Sequence, residues 1–245
     1  MKKQSSDINK EGIATMKQTI ADGRLRDGQV YTIRYITEND VPALLELQEK
    51  VSQSLAISAH LQPLSTAEFS YILSEHGMIA GVFLEEKLIG FRAMLIPEID
   101  EEHLGLDCGI STEELPRVMY SEISCIDPEY RGNHLQTTMG RLLFRLVDRE
   151  RFHYVCATAA PLNIPSIKDK LKLDMKIVGL KEKYDGKLRY ILLKELTDSE
   201  QAETVKDQVL AEMADIPGQQ KLLLDGYLGV SIIQKNSTWY VCYQK

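Results

Sequence analysis

A polar turn between an apolar strand and a helix-patterned run carries the residues best suited to chemistry. The strand ends at Asp127-Pro128, and the turn that follows contains Arg131 and Gly132. After the turn, apolar residues recur at helical spacing: Leu135, Met139, Leu142, Leu143, Leu146 and Val147. The start of a helix has unpaired backbone N–H groups and the positive end of the helix dipole. The spacing therefore predicts an anion site, suited to a phosphate group, where this helix begins.

Two side chains near the turn could take part in proton transfer. Glu122 shares a strand face with Tyr120 and Ser124, because side chains alternate along a strand. A carboxylate there could act as a general base, or it could pair with a neighbouring Lys or Arg. His134 could also take part, because histidine is a common proton carrier in enzymes, although a histidine at a helix start is more often exposed than catalytic. We therefore predict Glu122 as the catalytic base.

The four cysteines are scattered along the chain, and no Cys-x-x-Cys pair occurs among them. This arrangement argues against a zinc site and indicates a reduced interior. Cys125 and Cys156 lie in apolar strand contexts with no adjacent histidine, which favours buried packing over a nucleophilic thiol. We predict no metal cofactor.

Composition excludes several classes of protein. The chain has 245 residues, of which 44% are hydrophobic and 27% charged, so it can bury a core. It has 29 Lys and Arg against 36 Asp and Glu, and this net charge of −7 argues against a general nucleic-acid binder. No apolar run is long enough to span a bilayer, and no apolar segment follows the basic start Met-Lys-Lys. We expect a cytoplasmic protein without nucleic-acid or membrane partners.

Alternating strand and helix patterns predict an α/β (α+β) fold. Strand patterns occupy Val30–Ile36, Met78–Leu84, Leu88–Ile96, Val118–Ile126, His153–Ala159, Met175–Tyr184 and Lys187–Leu196. Helix patterns begin at Thr37-Glu-Asn-Asp-Val-Pro42 and at the capping box Ser65-Thr-Ala-Glu68, run from the turn to about Arg151, and recur over Asn163–Asp174. Residues 98–115 read as an acidic loop. The alternation predicts a mixed sheet with helices on its faces.

The same patterns suggest three segments. Residues 1–28 form an N-terminal arm with a weak helix near Ile13–Ile20, residues 29–196 form the main domain, and residues 197–245 form a C-terminal appendage. The appendage begins with a linker at Thr197–Gln201. It contains two helix patterns and a hairpin: Ala202–Ala214, Gln220–Tyr227, and Val230–Lys235 with Thr238–Tyr243. This hairpin could cover an exposed sheet edge or join two copies in a homodimer, although alternating aromatic residues on a hairpin usually indicate local packing.

Over about residues 30–196 the chain resembles the GNAT superfamily of acyl-CoA-dependent N-acyltransferases. Three features carry the resemblance: the element order, the Asp-Pro-Glu-Tyr-Arg-Gly turn at 127–132, and Asn163 followed by Ser166. The resemblance implies a mixed, mostly antiparallel central sheet flanked by helices. It also implies acetyl-CoA as the co-substrate.

The resemblance assigns candidate roles to residues on both sides of the turn. In the family, the backbone before the turn pairs with the pantetheine arm, which implies this role for Ser124, Cys125 and Ile126. The family turn Gln/Arg-x-x-Gly-x-Gly/Ala cradles the pyrophosphate, and here it falls on Arg131, Gly132, Asn133, His134, Leu135 and Gln136. Thr137 matches a frequent family hydroxyl. His134 and Gln136 replace small residues, so this turn can bind phosphate only if both keep helical φ and point their side chains away.

The next helix departs from the family pattern of Asn-x-x-Ala/Ser, then Tyr, then Gly-Phe. This chain has Asn163, Ser166, Lys170, Asp174 and Met175 at these positions. The family tyrosine donates a proton to the leaving thiolate. Lys170 could replace that donor, stabilise the thiolate by its charge, or be a solvated helix residue. Asn163 is expected to hold its turn near the cofactor.

The resemblance implies transfer of an acetyl group by direct attack of an amine, on a small-molecule or peptide acceptor. The loop Glu98–His103 lies where the family builds its acceptor cleft; its acids could attract a cationic amine, or the loop could simply be solvated. Two alternatives remain. One is an acyl-CoA-binding regulatory or interaction module with little or no catalysis, which the missing tyrosine and glycines favour. The other is an interaction protein with no coenzyme A site.

Overall fold

The computed structural model describes residues 19–55, 57, 61–184, 186–196 and 207–245. These residues form eleven strands: β1 Thr19–Arg24, β2 Val30–Tyr35, β3 Gly77–Leu84, β4 Lys87–Leu95, β5 Val118–Ile126, β6 Tyr154–Ala159, β7 Lys176–Lys183, β8 Lys187–Glu195, β9 Gln208–Glu212, β10 Leu228–Lys235 and β11 Thr238–Gln244. They also form six α-helices: α1 Val41–Gln53, α2 Thr66–Leu73, α3 Leu104–Asp107, α4 Leu135–Leu146, α5 Ile164–Lys172 and α6 Ile216–Leu224. Within these ranges, no helix is long and apolar enough to cross a membrane.

The described chain divides into two compact units. The first contains the described residues up to Ile96 together with Glu122–Arg145. Its strands β1, β2, β3 and β4 pair antiparallel in that order, and helices α1 and α2 pack on β3 and β4. Phe69 of α2 meets Phe91 of β4 edge-on, with ring centroids 5.7 Å apart, inside one buried apolar cluster. The predicted capping box starts α2, because Ser65 and Glu68 each accept a hydrogen bond from the other's backbone N–H.

The second unit contains Pro97–Ser121 and the described residues from Leu146 to Lys245. Here β5 pairs parallel with β6 over Val118–Tyr120, and β6, β8 and β7 continue antiparallel in that order. The sheet is therefore mixed and mostly antiparallel, with flanking helices, which confirms the predicted fold class.

The C-terminal appendage continues the sheet of the second unit. β10 pairs with β7 through Gly229 opposite Ile177, β11 pairs with β10, and β9 pairs with β11. The predicted hairpin turn is present, with positive φ at Asn236 (46°) and Ser237 (68°), as a two-residue hairpin turn requires. The hairpin thus pairs with a strand edge of its own chain, and the homodimer stays a prediction.

A buried polar network ties the appendage to this unit. Gln219 of α6 is fully buried, and its Oε1 accepts hydrogen bonds from the hydroxyls of Tyr190 (2.7 Å) and Tyr243 (3.0 Å). Its Nε2 donates to the carbonyl of Met213 at 3.0 Å. Burial raises the pKa of both tyrosines, which keeps the hydroxyls protonated as donors.

Some predicted elements differ from the structure. Thr19 and Ile20 belong to β1, so the end of the predicted arm is a strand, while residues 13–18 of the weak helix lie outside the described residues. Residues 208–212 of the predicted helix Ala202–Ala214 form β9 instead, because pairing with β11 outweighs local helix propensity. The rest of that helix up to residue 206, and the linker at 197–201, also lie outside the described residues. The acidic loop contains α3, and α4 ends at Leu146 rather than near Arg151.

Candidate functional site

The turn after β5 is anchored to its own unit at Asp127. The Asp127 N–H donates to the Ile89 carbonyl of β4 at 2.9 Å. Its buried carboxylate accepts hydrogen bonds from the Glu129 N–H (3.1 Å) and from Lys50 Nζ (2.9 Å) of α1. The hydrogen bond to Asp127 raises the pKa of Lys50, and the hydrogen bond to Glu129 adds a smaller effect in the same direction. The lysine therefore stays charged. The start of the turn is therefore held by both a strand and a helix.

Two residues with positive φ lead the chain from this turn into α4. Gly132 has a φ of 83° and His134 a φ of 59°. His134 does not meet the condition of helical φ; it precedes α4, and its carbonyl accepts the first helical hydrogen bond, from the Thr138 N–H at 3.0 Å. Gln136 lies inside α4, as expected. His134 thus adopts a backbone conformation that glycine adopts at lower cost.

The side chains of the turn make contacts that the sequence did not predict. Arg131 donates from Nη2 to the Ser54 hydroxyl, 2.7 Å away, at the end of α1. Asn133 Nδ2 donates to the Tyr130 carbonyl at 2.9 Å, and Asn133 Oδ1 accepts from the Arg26 N–H at 2.9 Å. The first amides of α4, those of Leu135, Gln136 and Thr137, have no acceptor inside the helix by its geometry. They are the groups that could hold an anion.

Arg92 lies buried next to this helix start. Its side chain is 0% exposed, and Nη1 donates to the Gln136 carbonyl at 3.2 Å. A buried cation adds positive potential where the α4 dipole is also positive. The sequence could have drawn attention to Arg92, because it is an arginine inside an apolar strand pattern and buried arginines are rare without partners. The sequence around Lys50 and Arg26 gave no comparable indication that these residues lie at the site.

At the end of β5, the backbone N–H and C=O groups of successive residues point to opposite sides of the strand. Successive residues of a strand present their backbone N–H and C=O groups to opposite neighbours. Because Asp127 bonds to β4, Cys125 also faces β4, and its carbonyl lies 3.3 Å from the position of a Cβ on Gly90. Ser124 and Ile126 therefore present their backbone groups to the other side. For pairing with an extended arm, the geometry favours these two over Cys125.

The side chains of β5 alternate as predicted. The Cys125 thiol is buried in the apolar cluster, and burial raises its pKa to about 12, so it is a poor nucleophile. Glu122 is exposed on the opposite face, and Ser124 is half-buried there. Its Oγ is buried without a hydrogen-bond partner among the described residues. The exposed face could receive a ligand, whereas the cysteine belongs to the core.

Asn163 and Lys170 lie in the second unit. Asn163 caps α5, because its Oδ1 accepts a hydrogen bond from the Ser166 N–H at 3.3 Å. Lys170 is 8% exposed and its Nζ donates to the Ser166 hydroxyl at 3.0 Å, so it is not the solvated helix residue that was one alternative.

The acids of the predicted acceptor loop are partly used within the second unit. Lys183 Nζ lies 2.6 Å from the Glu102 carboxylate and 3.1 Å from that of Asp107. His103 is buried, and desolvation lowers its pKa, so the ring favours the neutral form. Its Nδ1 accepts a hydrogen bond from the Gly105 N–H at 3.0 Å. These contacts weaken the case that Glu102 attracts a cationic amine.

Comparison with known proteins identifies the fold. No protein-family model matches the chain, and no curated protein matches it by sequence. Solved structures do match. An N-acetyltransferase from Staphylococcus aureus Mu50 has a TM-score of 0.53 at 16% identity, covering 68% of this chain and 99% of that one.

Two further structures agree with the first. The GNAT domain of S. lividans PAT has a TM-score of 0.52 at 17% identity, covering 71% of this chain and 96% of its own. The yncA protein from Salmonella typhimurium, solved with its cofactor acetyl-CoA, has a TM-score of 0.53 at 14% identity, covering 71% of this chain and 98% of its own. The chain therefore has the fold of the GNAT N-acetyltransferases, with its C-terminal strands beyond the matched region.

Proposed function

We propose that this protein transfers an acetyl group from acetyl-CoA to an amine by direct attack. The observation that carries the proposal is the turn at 131–134, which ends β5 and begins α4 in a GNAT fold with positive φ at Gly132 and His134. Arg131, Gly132 and His134 are exposed just before the first amides of α4, whereas Leu135 and Thr137 are buried and Gln136 is half-buried. Those amides suit the pyrophosphate of coenzyme A.

The residues present fit this co-substrate. A Cβ on Gly132 would have only Arg26 Nη1 within 4 Å, at 3.8 Å, so the surface of the turn is open. The nearby charges are favourable, because Arg92 lies next to the first turn of α4 and Arg131 is exposed on the turn. Ser124 and Ile126 would pair with the pantetheine arm through their backbone groups. Acetyl-CoA would supply an acyl carbon already activated by its thioester.

Glu122 is the residue we propose as base. Amide formation requires an uncharged amine, and an exposed carboxylate next to the reacting carbon can take its proton directly or through a water molecule. Glu122 is exposed on the face of β5 that Ser124 shares. The Cys125 thiol, with its raised pKa, does not suit a covalent route, so direct attack is favoured.

The acceptor we propose is a small-molecule or peptide amine.

A second candidate function is an acyl-CoA-binding module without catalysis. The absence of the family tyrosine at Lys170 favours it, as does the strained His134 in place of a small residue. This candidate and the enzyme share the phosphate site, so they differ only in turnover.

The test combines binding with turnover. Calorimetry with acetyl-CoA measures the dissociation constant, and a thiol reagent follows coenzyme A release against a panel of small amines, polyamines and peptides. For the enzyme we expect binding and release with at least one amine. Glu122→Gln should lower kcat about 100-fold or more, within the range of general-base contributions, with the acetyl-CoA affinity unchanged.

Each outcome separates the candidates. Binding without release on any amine would support the module. An absence of binding heat and of any thermal shift would refute the coenzyme A site itself. Full turnover by the Glu122→Gln variant would show that another group, or water alone, removes the proton.

A further inference from the structure

The loop between β1 and β2 lies against the turn at 131–134. The Arg26 N–H donates to Asn133 Oδ1 at 2.9 Å. Its guanidinium Nη2 lies 3.2 Å from His134 Nε2, and Nη1 lies 3.8 Å from the position that a Cβ on Gly132 would occupy. The main chain of Arg26 therefore fixes the loop, while its exposed guanidinium group lies beside the two positive-φ residues of the turn.

The contact with His134 determines where the imidazole proton lies. A guanidinium group has five N–H donors and no acceptor, so Nε2 of His134 must accept the hydrogen bond. The proton of the neutral ring is then on Nδ1. Arg26 and His134 together thus offer two kinds of N–H donor next to the amides of α4.

The acidic side chains around Arg26 bind other groups. The nearest carboxylates of the turn are bound by a lysine, since Lys50 Nζ lies 2.9 Å from Asp127 and 3.1 Å from Glu129. The adjacent Asp27 accepts hydrogen bonds from the backbone and side chain of Gln29. In the described part of the chain, the Arg26 guanidinium contacts an imidazole and no carboxylate. A guanidinium group beside the positive end of a helix is unfavourable alone and favourable when an anion binds both.

We propose that Arg26 is a phosphate ligand of the acyl-CoA site, acting with the Nδ1–H of His134. This inference rests on the proposed function. The guanidinium group supplies the cation that the motif residue Arg131 directs toward Ser54 instead. His134, where a small residue was expected, then has a role: it orients Arg26 and donates to the same phosphate groups.

The experiment measures affinity by calorimetry on the full chain. The variants are Arg26→Ala, Arg26→Lys and, as the matched control, Arg24→Ala, which removes an exposed arginine on β1 that contacts only the Gly28 carbonyl in the described structure. The probes are acetyl-CoA, its 3′-dephospho form, and acetyl-pantetheine, which has no phosphate. Replacing the Arg26 side chain leaves the hydrogen bond from the backbone N–H of residue 26 to Asn133 intact. A melting curve checks that each variant is folded.

We expect Arg26→Ala to weaken acetyl-CoA binding about 10-fold or more, as the loss of a charge-assisted hydrogen bond predicts, and to leave acetyl-pantetheine binding unchanged. Arg26→Lys should recover part of the affinity, and Arg24→Ala should bind like the wild type. A loss that persists with the 3′-dephospho form assigns Arg26 to the pyrophosphate, and a loss that disappears assigns it to the 3′-phosphate.

Equal affinity of the Arg26→Ala variant and the wild type for acetyl-CoA would overturn the inference while leaving the proposed function standing. Tighter binding by the variant would also overturn it, because Arg26 would then obstruct the turn. If the wild-type protein itself binds no acetyl-CoA, the proposed function fails, and the wild-type titration reveals this separately.

Discussion

Replacing Gly132 by alanine tests the turn at its most constrained residue. Gly132 has a φ of 83°, in the left-handed region, where an L-residue with a Cβ is strained. Space is not the obstacle, because the added Cβ would meet only Arg26 Nη1, at an ordinary contact distance of 3.8 Å. The substitution therefore perturbs the backbone of the turn and little else.

The expected loss of stability follows from that φ value. The left-handed conformation costs a non-glycine residue about 1–2 kcal/mol. The lower entropy of the unfolded chain offsets about 0.4–1 kcal/mol of this cost. The free energy of unfolding should fall by about 1 kcal/mol, which lowers the melting temperature by about 2–4 °C for a chain of this size.

The expected loss of affinity is larger. Relaxing the φ of residue 132 moves the amides at the start of α4, and one lost hydrogen bond to a charged phosphate costs about 1.5–3 kcal/mol. Acetyl-CoA should bind about 10-fold to 150-fold more weakly. Calorimetry measures the dissociation constant, and thermal denaturation without ligand measures the change in stability.

Gly226 provides the matched control. Its φ is 85°, and a Cβ there would also meet only the end of a cationic side chain, Lys245 Nζ at 3.6 Å. Gly226→Ala should lose the same stability as Gly132→Ala and keep the wild-type affinity. Equal affinity of both variants for acetyl-CoA would refute the phosphate site at the turn. An unchanged melting temperature of Gly132→Ala would refute the reasoning from φ.

Two further predictions concern stability. Asp40 forms an ion pair with Arg34 at 2.8 Å, and the hydrogen bond from Arg34 lowers the pKa of Asp40 from 3.8 to about 2. Because the folded-state pKa is lowered, the pair stabilises the protein fully above about pH 4, and this stabilisation is lost as the pH falls toward 2. The Asp40→Asn variant should lose about 1 kcal/mol of unfolding free energy at pH 7, after allowance for screening, and almost nothing at pH 2. Urea unfolding measures both losses, and equal losses at the two pH values would contradict the prediction. Gln219→Leu should cost about 2–4 kcal/mol in urea unfolding, because it leaves two buried tyrosine hydroxyls and a carbonyl without their partner. The control Gln220→Leu removes one half-buried hydrogen bond and should cost about 1 kcal/mol, so equal losses for the two variants would argue against the network.

Local patterns predicted most elements that make up the fold. The period of the apolar residues located β3, β4, β5, β7 and β8, and the capping box at Ser65 located the start of α2. These features depend on neighbours within a few residues, which is why sequence alone reveals them. The helix predicted over residues 208–212 was wrong, because β9 exists only through its pairing with the distant strand β11.

The candidate site likewise contains features that local patterns predicted and contacts that they did not. The Asp-Pro turn and the start of α4 were predicted, since a strand, a turn and an amphipathic helix follow one another along the chain. The contacts of Arg26 with Asn133 and His134 were not, because more than a hundred residues separate the partners. The contact of Lys50 with Asp127 was not predicted either, because these residues lie 77 positions apart in the chain.

The sequence by itself determined that a turn and a helix start follow an apolar strand, because both elements are encoded by local periodicity and by the turn between them. Only the tertiary structure decided the conformation and partners of that turn. His134 has a positive φ of 59°, and its imidazole lies 3.2 Å from the guanidinium group of Arg26 in the loop between β1 and β2. Arg131 contacts Ser54 rather than the turn, because long side chains bind whichever group folding brings within reach. Such pairings depend on chain segments far apart in sequence, so no local pattern contains them.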